Sequence, residues 1–450
     1  MVTPNINPTR AMPVAQKLGA FAIWATGVGL VISGESFGWN IGWAKTGPLA
    51  FFIPLGLTVV LYYALVQTLI ELACVYPEAD GPSVYIQRAF GPFWAGFIAV
   101  AVLIEFLFAS PAIAASVGEY ICFLRGNTSD APWIATGFLG LFCVVNLFDL
   151  QVGTRVTIAL TVLAILELIL YAAGSGPAFR PTQLLTSAYN RFDLRSLVEA
   201  TPFAIWMLLG IEGISLMTRS VRENGFRRHL TIGYQGAFWT LVLLAVGVLL
   251  LAGGGISWTQ QNWAIISQDN HPMPASLALM LPKTSIVVQL FTFIGLFGLI
   301  ASLHAITLAA TNQLESLLRL GWPGLGAGRG LAAGLVFLVS TLAIWSSQTA
   351  FLIELSVFGA VCMYFGVAVS LLKIRTQPDH SATTIRAHNA EEPTQALRHA
   401  DFAPRRSRLF AGIAASLSFV CILILSYLHP IVFGCFAGVA LPAWLWHRNK

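Results

Sequence analysis

The sequence predicts an all-α membrane protein with twelve transmembrane helices, and three observations carry that prediction. Hydrophobic residues fill 56% of the 450 positions and charged residues only 10%, with a mean hydropathy of +0.75. A soluble domain carries roughly 25% charged residues, so this chain cannot cover a water-facing surface of its size. Twelve apolar stretches approach the ~20 residues that a helix needs to cross a bilayer. Placed N-terminus inside, those stretches leave 19 Lys and Arg on the cytoplasmic side and six on the outer side, the asymmetry that orients membrane proteins. Soluble, disordered, collagen-like and coiled-coil classes are excluded by the same composition.

Residues 1–17 are polar and irregular, with Pro4, Pro8 and Pro13 and no small-residue cleavage site after a short apolar core. They are expected to be a cytoplasmic N-terminal segment and not a cleaved signal. The apolar stretches lie near 18–40, 48–75, 94–122, 132–149, 154–174, 197–217, 231–253, 284–317, 330–346, 350–374, 408–427 and 430–447. The first ten, within 18–375, form a transport core. Residues 376–407 are polar and read as a cytoplasmic linker. Residues 408–450 supply two C-terminal helices and a short tail. The basic run Arg405-Arg406-Ser407-Arg408 fits anionic lipid headgroups better than nucleic acid. Residues 254–283 form the main outer loop. A second spans 178–196, where Phe192-Asp193-Leu194-Arg195 suggests a short interfacial turn.

Two spans are interrupted. Span one reads Gly27-Val28-Gly29-Leu30-Val31-Ile32-Ser33-Gly34-Glu35-Ser36-Phe37-Gly38-Trp39-Asn40, and span six places Gly210, Glu212 and Gly213 in an apolar stretch. These spans open two five-helix halves, the placement expected of inverted repeats whose broken helices bind a polar solute at mid-membrane. Broken helices free backbone groups that can coordinate such a solute.

The acids are the second signal. Glu35, Glu71, Glu105, Glu167, Glu212 and Glu354 lie in spans, with His304, and no Lys or Arg occupies the middle of any span. Six carboxyls without an obligate cation require protonation or a cationic guest. Glu71, near a span end, suits a structural role. Glu167 and Glu354 leave structural pairing and a proton role open. Glu35, Glu105 and Glu212 are the functional candidates, and His304 is expected to pack. Phe37, Trp39, Phe106, Phe108, Phe203 and Trp206 flank the acids and can cap an organic cation. Ser302, Thr307 and Thr311 in span eight are candidates to line an ion path, although hydroxyls at helical spacing commonly bond their own backbone. The six Cys form no C-x-x-C pair, and no H-E-x-x-H, clustered His/Cys set or Walker loop occurs, so an enzyme, metal centre or cofactor site is not expected.

Several of these runs look like one family. Glu71-Leu72-Ala73 with Tyr76-Pro77-Glu78-Ala79-Asp80-Gly81-Pro82, the Gly/Ser-rich break in span one, and Ile205-Trp206-Met207-Leu208-Leu209-Gly210-Ile211-Glu212 resemble the amino acid–polyamine–organocation superfamily over nearly the whole chain. The span-six run is similar to that of arginine–agmatine exchangers, which implies gating by Trp206 and proton sensing by Glu212. Val31–Asn40 and Ile104–Ala114 resemble the ethanolamine permease branch. The resemblance implies a LeuT-like five-plus-five inverted repeat, two extra C-terminal helices, and a secondary transporter in the inner membrane with both termini cytoplasmic. The expected site comprises Ser33, Gly34, Glu35, Phe37, Glu105, Phe108, Phe203, Trp206, Gly210 and Glu212. The expected cargo is a small organic amine, ethanolamine first. An amino acid permease or amino acid/amine exchanger is the alternative. Glu35 stands where amino acid carriers of the superfamily place a Gly that receives the substrate carboxylate, which favours an amine lacking one. The span-five Lys of some relatives is absent, so coupling to a proton or to sodium stays open, as does the oligomeric state.

Overall fold

A computed structural model describes residues 17–79, 81–127, 129–148, 154–321, 328–376 and 404–438. Most of the expected N-terminal segment and linker, and the end of the twelfth stretch, lie outside the described residues.

Span one is three helices, α1 (Ala20–Val31), α2 (Ser33–Ser36) and α3 (Trp39–Thr46). The chain bends by 45° between residues 36 and 39. Gly38 makes the bend, with φ at +97°, a conformation closed to most L side chains. α4 (Phe52–Val75) stops just before Tyr76-Pro77, where proline disfavours a helical predecessor. α5 (Pro82–Phe90) and α6 (Pro92–Arg125) each place proline at the first helical turn, where its missing N–H costs nothing. α7 (Ala131–Leu147) and α8 (Thr154–Ser175) follow, then a short 3₁₀ turn and α9 (Pro181–Leu185).

Span six begins as α10 (Leu194–Trp206), unwinds over Met207–Gly210, and continues as a 3₁₀ segment, Ile211–Ser220. The expected turn at 192–195 is instead the start of this helix: Asp193 caps it by accepting from Ser196 N at 3.0 Å. α11 (Phe226–Gly255) leads to a long loop that carries α12 (Gln260–Gln268) and α13 (Pro272–Met280). α14 (Ile286–Gly321), α15 (Arg329–Trp345), α16 (Thr349–Thr376) and α17 (Pro404–Leu428) complete the order, and residues 430–438 are helical.

Every one of the twelve apolar stretches therefore carries helix. Among the described residues, eight helices are long and apolar enough to cross a membrane, or nine with the bent first span. α7 and α15 are apolar but shorter. The chain is an integral membrane protein by that measure.

α6 sits at the centre. In its most apolar stretch 83% of residues are buried, against 33% for α17 at the periphery. Helices in lipid gain little from hydrophobicity against one another and pack through small residues. Gly359 of α16 does so: a Cβ there would stand 2.4 Å from the Ala101 carbonyl oxygen and 2.8 Å from the Glu105 nitrogen. Pro111 interrupts α6 and leaves the Leu107 carbonyl without its helical donor. Ser340 of α15 takes that carbonyl at 3.4 Å.

Candidate functional site

The two broken spans meet at their breaks. A Cβ on Gly34 would lie 2.6 Å from the Trp206 carbonyl oxygen, and one on Gly38 2.7 Å from the Trp206 ring. Only glycine permits this approach. Trp206 packs edge-on against Phe37, ring centroids 5.4 Å apart. Gly210 adopts φ +106° where the chain turns into the 3₁₀ segment.

The freed carbonyls of span one are already occupied. Trp39 Nε1 donates to Glu35 O at 3.0 Å, Tyr120 OH to Ser36 O at 3.4 Å, and Trp206 Nε1 to Phe37 O at 3.2 Å. Tyr62 OH donates to Ile205 O at 3.2 Å in span six. Sequence reasoning assigned freed backbone groups to a solute. Here aromatic side chains take four of the carbonyls, which leaves the carboxyls as the unsatisfied groups.

One face of α6 organises the rest. Glu105, Ala109, Ile113, Ser116 and Tyr120 follow one another at helical spacing, and all are buried. Ala109 and Ile113 line a small recess with Ser33, Gly34, Trp206 and Leu209. Glu105 lies one turn beyond one end of the recess and Tyr120 about two turns beyond the other. Ser356 Oγ donates to Glu105 O at 2.8 Å and, with Gly359, fixes the backbone of that acid against α16.

The central acids form two pairs. Glu105 lies within electrostatic reach of Glu212. Glu212 Oε2 accepts from Tyr364 OH at 3.0 Å, and Tyr364 OH bonds Tyr62 OH at 2.9 Å. Both oxygens of Glu105 and Oε1 of Glu212 are buried without a hydrogen-bond partner. Glu35 interacts with Glu167 of α8. Both oxygens of Glu35 and Oε1 of Glu167 also lack partners. Among the described residues no Lys, Arg or His is paired with any of the four.

The other two acids differ. Arg375 Nε donates to Glu71 Oε1 at 2.6 Å, the structural role expected of a span-end residue. His429 Nδ1 lies 3.1 Å from Glu354 Oε2, which resolves Glu354 toward pairing. His304 packs against Phe142, ring centroids 5.1 Å apart. Thr311 bonds its own helix through Thr307 O, whereas Ser302 crosses to Gly29 O of α1 at 3.0 Å. Phe203 is buried and Phe108 only partly so, and neither lines the recess. Tyr62, Tyr120 and Tyr364 escaped the sequence reading. The signal was present, because a tyrosine inside an apolar span needs a partner for its hydroxyl.

The ends of the two spans are tied as well. Leu18 N donates to Ser220 O at 2.7 Å and Arg222 N to Leu18 O at 3.0 Å, beside a Lys17–Glu223 ion pair. At the opposite end Asn40 Nδ2 donates to Ile266 O and Asp269 O of the loop after α11, each at 2.8 Å. Next to that clamp His271 lies 3.8 Å from both Asp269 and Glu119. Burial pushes Asp269 up to about 6. Burial and nearby Lys283 push His271 down to about 4.

The profile of the amino acid permease family matches residues 18–323, both broken spans included. The chain belongs to the amino acid permease family. It is also similar to an uncharacterized transporter of Rhizobium meliloti (strain 1021), 25% identical over 282 residues, which are 61% of this chain and 59% of that protein. The chain thus matches less than two thirds of its relative's length. Within the permease family frame, the match covers every acid of the two central pairs and ends before α15.

Proposed function

We propose that this permease is a secondary transporter that carries a small organic ammonium, ethanolamine first, by alternating access. One observation carries the reading: Glu35 and Glu105, two buried carboxyls without a cationic partner, adjoin a recess between two broken helices. Carboxyls so placed are costly unless protonated or met by a cation. An ammonium in the recess supplies that charge. Glu35 and Glu105, toward its two ends, receive the ammonium, and Trp206 closes over it against Phe37. Ser33 and Gly34 line the wall, and Phe203, Gly210 and Phe108 support the site from outside it. Glu212, held by Tyr364, tunes the opening of the inner half.

The chain has twelve spans in a LeuT-like five-plus-five arrangement over 18–375. The linker 376–407 joins that core to two C-terminal helices over 408–450. Both termini face the cytoplasm at the inner membrane. A substrate carboxylate would meet Glu35 at the break, which disfavours amino acids. Uptake of radiolabelled ethanolamine by cells making the protein, in competition with neutral and basic amino acids, tests this. Uptake that only amines suppress is expected. Amino acid uptake without ethanolamine uptake overturns it.

A further inference from the structure

The contacts that run from Glu212 to Ile205 are three, and they share two hydroxyl protons. Tyr364 OH lies 3.0 Å from Glu212 Oε2 and 2.9 Å from Tyr62 OH, and Tyr62 OH lies 3.2 Å from Ile205 O. Both tyrosines are fully buried, and their rings pack edge-on with centroids 5.4 Å apart. The chain of contacts brackets the break in span six: Ile205 stands just before the unwound Met207–Gly210, and Glu212 just after it. The hydroxyls themselves come from α4 and α16, two continuous helices.

Counting protons gives this chain two states. A carbonyl only accepts, and each tyrosine has one proton to give. With Glu212 protonated, its O–H donates to Tyr364, Tyr364 donates to Tyr62, and Tyr62 donates to Ile205 O. All three bonds are then made. With Glu212 a carboxylate, Tyr364 donates to it and Tyr62 donates to Tyr364. Ile205 O then keeps only local backbone contact, from Leu208 N at 3.1 Å, and loses its tie to α4. A single Tyr62 proton divided between Tyr364 and Ile205 O would leave both bonds poorly aligned. The other titratable groups around the chain are Glu105 of α6, Tyr234 of α11 and Cys421 of α17, and none of them brings a positive charge.

We propose that Tyr364 and Tyr62 are positioning residues that carry the charge state of Glu212 across the break to Trp206. This rests on the reading of Trp206 as the residue that closes the recess. With Glu212 protonated, Tyr62 holds the end of α10 to α4. Trp206, the residue after Ile205, stays packed on Phe37 with its Nε1 on Phe37 O. When the Glu212 O–H bond breaks and the proton passes to water, Tyr364 turns its O–H to the carboxylate and Tyr62 turns its own to Tyr364. Ile205 is released from α4, and the Trp206 backbone is free to carry the ring off the recess. Neither tyrosine lines the recess, so their effect on a guest passes through the break.

Amide hydrogen exchange of the purified full-length protein without ligand, corrected for the intrinsic effect of pH, reads the break directly. Its reporters are Leu208 N and Leu209 N, which donate to Ile205 O at 3.1 Å and to Trp206 O at 3.2 Å. Wild-type protection there is expected to fall about fivefold between about pH 6 and about pH 9, the worth of one hydrogen bond. Glu212→Gln offers an amide N–H to Tyr364 whatever the pH, and should keep the protection of acidic wild type throughout. Tyr62→Phe and Tyr364→Phe should show the low protection at both ends of the range. Tyrosines with a merely structural role would lower protection in the Phe variants and leave Glu212→Gln as pH-sensitive as wild type. A wild type that does not respond to pH, a Glu212→Gln that still does, or a Tyr62→Phe with the protection of acidic wild type overturns the proposal. Infrared spectroscopy of wild type covers variants that fail to fold. The carbonyl band of protonated carboxyls should lose intensity over the same pH range as the protection, and protection lost with that band intact overturns the relay. Ethanolamine takes no part in these measurements, so a failure of ethanolamine uptake overturns the amine reading alone.

Discussion

The acids near span ends and the acids at the centre obey different rules. Glu71 lies near the end of α4 and has Arg375; Glu354 lies near the start of α16 and has His429. Glu35, Glu105, Glu167 and Glu212 lie deeper, and six of their eight oxygens are buried without a hydrogen-bond partner; the exceptions are Glu212 Oε2, which accepts from Tyr364, and Glu167 Oε2. A span end can recruit a basic residue that reaches water with its other side, as Arg375 does at 22% exposure. A span centre cannot host such a residue without burying a second charge. The difference teaches that terminal carboxyls are met by a fixed basic residue, whereas central ones have no such partner among the described residues, the contrast on which the amine proposal rests.

The sharpest way to break that contrast is to neutralise one acid of each kind. Glu105→Gln and Glu35→Gln should each weaken ethanolamine binding by about 2 kcal/mol or more, roughly thirtyfold, as expected for removing one partner of a buried charge pair. Glu354→Gln should leave affinity within about twofold, because its partner is His429 and not the guest. Scintillation-proximity binding on purified protein reads both. Equal losses at all three positions, or none at the central two, would erase the distinction.

Stability should move in the opposite sense. Arg375→Ala leaves Glu71 buried without its cation. Breaking a buried pair costs about 3–5 kcal/mol, and partial exposure of Arg375 reduces this to about 1–3 kcal/mol. A fall in detergent-solubilised Tm with unchanged ethanolamine affinity is the expected outcome. A loss of affinity without a loss of Tm would make Glu71 a functional acid.

The glycines sharpen the same comparison on packing grounds. Gly34→Ala drives a Cβ to 2.6 Å from the Trp206 carbonyl oxygen, a backbone atom that cannot swing aside. Overpacking of this kind costs about 1–3 kcal/mol, and transport should fall with it. Gly56→Ala in α4 meets nothing within 4 Å, so helix propensity should make it neutral or slightly stabilising. Thermal-shift and uptake measurements on both variants check this. A tolerated Gly34→Ala would mean that the broken helices do not meet as described.

Much of this arrangement was legible in the sequence. Hydropathy located a helix at every expected stretch, because lipid leaves the backbone no alternative. The break at Gly34–Gly38 was visible as glycine and serine in an apolar run, and the sorting of Glu71 from Glu105 followed from position alone. What stayed hidden is what depends on distant partners. No spacing rule announces that Trp39, Tyr120 and Trp206 take three successive carbonyls, or that Glu354 meets His429 across 75 residues of chain. The seating of Glu167 against α14 needs Gly295 and Gly298 to clear the space, and glycine in a span reads equally as packing.

The smallest expected effect lies in the Asn40 clamp, where neither rule applies because water reaches the groups. Asp269 has its folded value raised to about 6, so its contribution to stability is present at low pH and is lost as pH rises from about 4 to 6. His271 has its folded value lowered to about 4, so its contribution is present above about 6.5 and is lost as pH falls toward 4. Across that shared window the two oppose each other, and wild-type Tm should change little on their account. His271→Gln removes one side of the balance. Relative to wild type, its Tm should fall as pH rises from 4 to 6. Asp269→Asn should show the reverse slope, and both slopes should be shallow because each group is partly exposed. Parallel Tm–pH curves for the two variants would show that Asp269 and His271 do not titrate against each other beside the Asn40 clamp.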